Sequence, residues 1–273
     1  WSPQYLLFDA SRSAIKMADW YALRDPRQFY YGTYTIARGK QQEATESAFD
    51  FVESRGLDAA LPEQLRELAQ ALLLPLRHVA WGASMNNTSI GAYGYGTAFT
   101  QPCVYQAFDQ LGIAQYLTRI GLLFGDTDSL DQAKRAWLEV GHWQGLRRYL
   151  EDTFVLSDPF ELHVAQNAVL DGLLYPLVYG VIIGEAFTPR GGTAVAMLTK
   201  FMTDWFAESE RWVDATLKAV AAESADNKAQ LGQWITVWRD RADNALLPVA
   251  RLALGERGAE QLATVIRQFN SRM

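Results

Sequence analysis

Residues 61–83 read LPEQLRELAQALLLPLRHVAWGA. Leu65, Leu68, Leu72, Leu76, Val79 and Ala83 recur at steps of three and four, which gathers them on one face of a helix. Leu61-Pro62-Glu63 marks its start, because proline suits a first helical turn. Pro75 lies inside the pattern and predicts a kink one turn earlier. The same period returns over 98–124, 160–185 and 193–224. In the last of these, Leu198, Met202, Trp205, Ser209, Trp212, Thr216 and Val220 share a face. No Asn-Gly hairpin and little two-residue alternation occur, so strands are not expected. The chain reads as an all-α, long-helix bundle with flanking helices.

Working outward, Asp25-Pro26 predicts a helix start, with a helix running to about Ser54 and a turn at Gly56. Thr88 to Gly96, rich in glycine and tyrosine, reads as a break or an irregular helical stretch. Gly125 to Asp128 is a turn, and 129–156 carry one or two helices. Ser157-Asp158-Pro159 caps a helix expected to reach about Glu185, and Thr188 to Gly192 is the clearest loop. Trp234, Trp238, Leu246 and Leu254 mark the first of a final helix pair. Residues 1–35 are aromatic and irregular and read as a partner-contacting segment; 36–273 read as a single helical domain. Within the first segment, Trp20, Arg24, Arg27, Phe29, Tyr30 and Tyr31 are the partner-binding candidates, since Trp, Tyr and Arg dominate interface anchors.

The bulk composition excludes several classes. With 273 residues, 49% hydrophobic and 21% charged, the chain can bury a large core. Nine tryptophans suit a large core, a large interface or both. A net charge of −6 with no basic stripe excludes a nucleic-acid partner. Cys103 is the single cysteine, so no internal disulfide forms, and a reducing, cytoplasmic compartment is expected. The apolar run Leu173 to Gly184 contains Pro176 and is too short to span a bilayer, so no membrane role is expected. No signal peptide is visible; the sequence begins at Trp1 rather than Met, so a preceding N-terminal piece is expected. Nucleotide-binding glycine motifs and the nucleophile-elbow motif are absent.

Metal chemistry is the next question for a bundle. A helical di-iron carboxylate centre needs two Glu-x-x-His steps and two further glutamates. Only one such step exists, Glu139 to His142, and the remaining histidines, His78 and His163, have no Glu three residues before them. Ala136, Val140, Trp143 and Leu150 form the apolar side of that segment, so Glu139 and His142 read as an outward, charged face. Asp171 is different. Its helical neighbours are Asn167, Ala168, Leu174 and Tyr175, so it reads as a buried acid held by a hydrogen bond or a cation. His78 reads as a core histidine donating to a carbonyl.

Several segments together resemble the β subunit of bacterial multicomponent monooxygenase hydroxylases, closest to the phenol hydroxylase branch. They are Asp19-Trp20, Arg24 to Gly32, Pro75 to His78, Asn86-Asn87, Gly112 with Gln115 to Leu117, Trp143 to Tyr149, Gln166-Asn167 with Val169 to Leu174, and Arg211 to Ala215. The resemblance runs through nearly the whole chain, in order. It implies a ferritin-like fold paralogous to a catalytic α subunit, with the metal site lost. It places the former ligand positions at Arg77, at Gln110 and Ile113, at Asp171, and at Ser209 and Trp212. No metal or other cofactor is then expected in this chain, with di-iron in the partner α subunit. The implied role is a non-catalytic, structural β subunit. It scaffolds the α subunit, which hydroxylates phenol-type aromatics to catechols with O2. The implied assembly is a dimeric hetero-oligomer with a small γ subunit, served by a regulatory protein and an NADH-dependent reductase. Such subunits usually carry an extra N-terminal arm. Arg77 and Asp171 are expected to pair across the vacated centre. The rival readings are an independent helical metalloenzyme, using Glu139/His142 or a pocket at Asp171, and a free-standing helical binding protein.

Overall fold

The computed structural model describes residues 7–273, and 84% of these are helical with no strand among them. Trp1 and Tyr5 of the aromatic segment lie outside the described residues. The helices are α1 (Tyr31–Ser54), α2 (Glu63–Tyr93), α3 (Thr97–Phe124), α4 (Thr127–Glu139), α5 (Gly141–Thr153), α6 (Pro159–His163), α7 (Asp171–Tyr175), α8 (Thr193–Glu223), α9 (Ala225–Leu254) and α10 (Arg257–Arg272). Helices α6 and α7 are parts of one continuous helix, Pro159–Arg190. Its backbone widens to i→i+5 turns over Val164–Leu170 and Pro176–Phe187.

The antiparallel hairpin α2–α3 forms one wall. Close approach sets its register: a Cβ on Gly91 would lie 2.7 Å from Val104, and one on Gly121 the same distance from Leu74. Gly96 makes the turn at φ +85°, a conformation that costs glycine little. The Pro159–Arg190 helix runs beneath this wall. By length and composition it could cross a membrane, but 78% of its apolar window is buried inside the protein, as in a core helix. Helices α8 and α9 close the other side, and α10 folds back on α9.

Local signals explain the boundaries. Asp158 accepts from the backbone N–H of Phe160 and Glu161, so the cap read at 157–159 starts the central helix. Asp126 does the same for α4 through Ser129. Helix α2 passes unbroken through Pro75 and ends only at Gly94, so the stretch from Thr88 to Tyr93 is helix. The first helix begins at Tyr31, later than Asp25-Pro26 suggests: Asp25 accepts from Arg27 N–H and Nε and shapes a turn instead.

Residues 7–30 lie as a strap across the bundle. Asn227 both donates to and accepts from the Lys16 backbone, and Glu223 and Asp158 accept from Ala18 and Ala14. Trp20 is buried against Tyr95 and Phe99. The Arg27 side chain is enclosed too, stacked over Trp212 at 4.7 Å and paired with Asp25 at 2.9 Å. Two of the partner-binding candidates therefore serve the chain's own packing. Phe29 is half-buried beside Tyr34, while Arg24, Tyr30 and Tyr31 face outward.

Candidate functional site

At the centre of the bundle, where metal ligands would converge, stands a ladder of amides around one carboxylate. Asp171 is buried and accepts from Gln166 Nε2 at 2.9 Å and from Gln110 Nε2 at 3.1 Å. The Gln166 carbonyl accepts from Asn86, which also donates to Thr153. The Gln110 carbonyl accepts from the Tyr175 hydroxyl at 3.2 Å. Beside them, the next residues along each helix, Asn87 and Asn167, exchange reciprocal bonds at 2.9 and 2.8 Å, and Asn167 also meets His163 Nδ1. Gln106 and Ser209 pair in the same reciprocal way across α3 and α8.

The i→i+5 turns explain part of this. Ordinary helical turns stack residues three and four apart, and the wider turn stacks residues five apart. Gln166 and Asp171 are five apart, so the widened stretch lays one over the other. Burial pushes the Asp171 carboxyl up to about 8, and the glutamine N–H groups pull against that shift. Burial likewise pushes His163 down to about 3, so its ring is neutral. Trp212 stands edge-on to His163 at 5.1 Å, and Ile113 is buried on α3.

A second cluster lies beside the ladder. Arg38 of α1 bridges Asp109 of α3 at 2.7 Å and Glu208 of α8 at 2.8 Å. Asp109 also accepts from the Tyr34 hydroxyl and the Trp205 indole, each at 2.9 Å. Burial alone would loosen the Arg38 proton, but the hydrogen bonds it donates to Asp109 and Glu208 outweigh that and hold the proton more tightly. One organic cation thus ties three helices together. Asp109 and Glu208 immediately precede Gln110 and Ser209 in the sequence. Sequence reasoning missed this clamp, although one signal was available: Asp109 is the only charged residue between His78 and Arg119.

The structure places the sequence-derived residues unevenly. Gln110, Asp171, Ser209, Ile113 and Trp212 are all buried in this central region. Arg77 is not with them. Its guanidinium donates to the Leu130 carbonyl at 2.7 Å, towards α4. The expected Arg77–Asp171 ion pair does not form, because the α2–α3 register puts Arg77 about two turns along from the level of Gln110. Asn86 and Asn87 are the α2 residues that reach the ladder, Asn86 at Gln166 and Asn87 at Asn167. Glu139 and His142 do not even share a helix: α4 ends at Glu139, Val140 is extended, and α5 begins at Gly141. His78 stacks on Trp137 at 5.7 Å, and its Nε2 finds no carbonyl.

The donor set does not fit a di-iron centre. The centre of the bundle holds one carboxylate, Asp171, and the groups around it are amides, a hydroxyl, an isoleucine and an indole, already bonded to or packed on one another. Among the described residues, no three His, Cys, Asp or Glu side chains gather.

The model of the methane/phenol/alkene hydroxylase family matches residues 1–224. The chain belongs to this family. It is 52% identical over 257 residues to the phenol 2-monooxygenase oxygenase component DmpL of Pseudomonas sp. (strain CF600), covering 93% of this chain and 77% of that one. It is 25% identical over 253 residues to the hydroxylase component subunit beta of the toluene-4-monooxygenase system of Ectopseudomonas mendocina, covering 89% and 76%. Among solved structures, phenol hydroxylase from Pseudomonas sp. OX1 superposes with a TM-score of 0.91 at 43% identity, over 99% of this chain and 85% of that one. Toluene 4-monooxygenase gives 0.81 at 23% identity, over 93% and 82%, a likeness of fold alone. The all-α, ferritin-like hydroxylase fold is thereby established, and the chain is homologous to hydroxylase components of phenol and toluene monooxygenases. The family match ends at α8, and α9 and α10 lie beyond it.

Proposed function

We propose that this chain is the non-catalytic β subunit of a multicomponent aromatic monooxygenase. It holds a larger, di-iron α subunit that hydroxylates phenol-type substrates to catechols, in a dimeric assembly with a small γ subunit. A regulatory protein and an NADH-dependent reductase complete the system. The observation that carries the reading is the centre of the bundle. Where a catalytic homologue would need several carboxylates and two histidines, one acid is wrapped by glutamines. In this reading Gln110, Ile113, Asp171, Ser209 and Trp212 are the vestigial ligand positions, with Asn86 rather than Arg77 on α2. The amide ladder and the Arg38 clamp replace the cross-helix ties that a metal cluster would supply. The exposed Arg24, Tyr30 and Tyr31 remain candidates for contact with the partner.

Co-purification tests the reading. Expressed with the other hydroxylase genes, this chain should travel with a larger helical subunit and with iron. Purified alone, it should hold far less than one iron per chain after incubation with ferrous iron. Stoichiometric iron in the isolated chain, or hydroxylation by it alone, would overturn the proposal.

A further inference from the structure

Helix α1 is tied to α3 at two levels, and a cleft lies between the ties. At the first level Tyr34 and Arg38 both bond Asp109. At the second, Glu46 accepts from the Tyr116 hydroxyl at 3.2 Å and from Arg119, and Phe49 stacks on Tyr116. About two turns of each helix separate these levels. Over that span α3 presents Gly112, where a Cβ would meet no atom within 4 Å. The resulting cavity holds about 380 Å³. Ile113 and Tyr116 of α3 and Phe201 and Trp205 of α8 line it, and the Tyr116 and Phe201 rings stand 4.9 Å apart. Gln41 and Thr45 line it from α1, and Gln42 and Gln115 are exposed at its mouth. The four charged residues on the lining are already paired, Arg38 with Asp109 and Arg119 with Glu46. Inside the mouth the unmet polarity is of one kind. Gln41 donates its amide N–H to the Phe201 carbonyl at 3.4 Å, and Thr45 donates its hydroxyl to the Gln41 carbonyl at 2.8 Å. Among the described residues, no donor reaches the side-chain oxygen of either.

We propose that this cleft binds a neutral, single-ring phenol. The walls choose the ligand, so the inference goes beyond the subunit reading and does not depend on it. The volume lies at the lower end of the range for small-molecule pockets, roughly 300–1,000 Å³, which suits one ring. A wall built from Tyr116, Phe201 and Trp205 favours another aromatic ring, through offset and edge-to-face contacts, over an aliphatic group of equal area. A carboxylate or ammonium would lose its water and find every counter-charge already engaged, so the ligand is neutral. The oxygens of Gln41 and Thr45 ask for a donor, which a phenol hydroxyl supplies and an ether or ketone does not. A ring seated there closes the gap between the two ties and braces α1 against α3 beside the Arg38 clamp.

Fluorine NMR titration of the full chain with 4-fluorophenol tests the site. The comparison probes are 4-fluorobenzoate, an anion at neutral pH, and fluorobenzene, which lacks the hydroxyl. 4-Fluorophenol should saturate one site per chain with a Kd on the order of 1 mM or tighter. Fluorobenzene should bind about threefold more weakly, and 4-fluorobenzoate at least about tenfold more weakly. Gly112→Leu puts a side chain into the cleft and should abolish saturable binding. Its melting temperature should stay at or above the wild-type value, because leucine suits a helix better than glycine and the Cβ position is open. Gly39→Leu, equally open but outside the cleft, should leave the Kd unchanged. Gln41→Met should weaken 4-fluorophenol about threefold and leave fluorobenzene unchanged, a split that a general loss of structure does not produce. Binding that does not saturate, or an unchanged Kd in Gly112→Leu, would overturn the proposal. Equal affinity for 4-fluorobenzoate would overturn the assignment of a neutral ligand. Each of these failures leaves the subunit reading intact, because that reading is tested by co-purification and iron content.

Discussion

Asp171 shows how a single residue can be read correctly in kind and wrongly in company. Its apolar neighbours marked it as a buried, bonded acid, and it is one. The partner expected was Arg77, because charge suggests charge. The structure uses two glutamines, and one of them sits five residues back, a spacing that a search at three and four steps does not visit. The partnership has a pH signature. The folded carboxyl titrates near 8, above its ordinary 3.8, because burial penalises the ion. Below about 4 both folded and unfolded chains keep the proton. Between about 4 and about 8 the unfolded chain releases it while the folded chain retains it, so this group's contribution to stability falls as pH rises. Asp171→Asn cannot ionise and loses that slope. Its stability relative to wild type should improve from pH 5 to pH 8, read from urea midpoints; a difference that stays constant would contradict the assignment. The Arg38 clamp gives the opposite kind of test. Arg38→Met strands Asp109, which is almost fully buried, and should cost about 3 kcal/mol or more, the scale of a broken buried pair. Lys200→Met breaks only an exposed i,i+4 pair with Asp204 and should cost under about 1 kcal/mol. Denaturant midpoints compare the two.

At the scale of elements, legibility followed the strength of local chemistry. The caps at Asp158 and the apolar stripes of α2, α3 and α8 were readable because backbone satisfaction and burial act within a few residues. The break at Val140 was not, since nothing in Glu139-Val140-Gly141-His142 forces it. It arises where α4 must turn to let α5 pack on α9, a demand made by distant residues. Nor was the widened backbone of the central helix, because i→i+5 turns leave no composition signal. Helix junctions can be tested through glycine. A Cβ on Gly258 would meet the backbone of Ala250 and Arg251 at 2.6 to 2.7 Å, atoms that no rotamer change can clear. Gly258→Ala should push α10 off α9 and cost about 1–3 kcal/mol. Gly39, inside α1, has open space around its Cβ position, so Gly39→Ala should stabilise by about 0.5–1 kcal/mol. Thermal unfolding of both variants checks the contrast, and equal shifts would mean the α9–α10 corner is softer than its geometry indicates.

For the whole molecule, the distribution of charge matters more than its sum. The net charge of −6 and the ion pairs, such as Arg272–Glu210, Arg241–Asp152 and Arg257–Glu185, lie away from the α2–α3 face. The periodicity of 61–124 predicts two helices, and it does not account for the lack of charge on their outward side. Solvent would favour Lys and Glu on such a side, and in their place stand Trp81, Met85, Phe108 and Leu111, all exposed. An uncharged contact surface has an ionic-strength signature. Salt weakens contacts between exposed charges beyond about 8–10 Å and leaves apolar burial intact or strengthened. Assembly through the uncharged face should therefore change less than about threefold in affinity between about 0.05 and 0.5 M NaCl. Assembly through the rim, where Arg119 and Glu46 stand, would weaken steeply over the same range. Sedimentation or light scattering of the reconstituted hydroxylase across that series separates the two. A steep loss would place the dominant contact on the charged surface and leave the apolar face to be explained by another occupant.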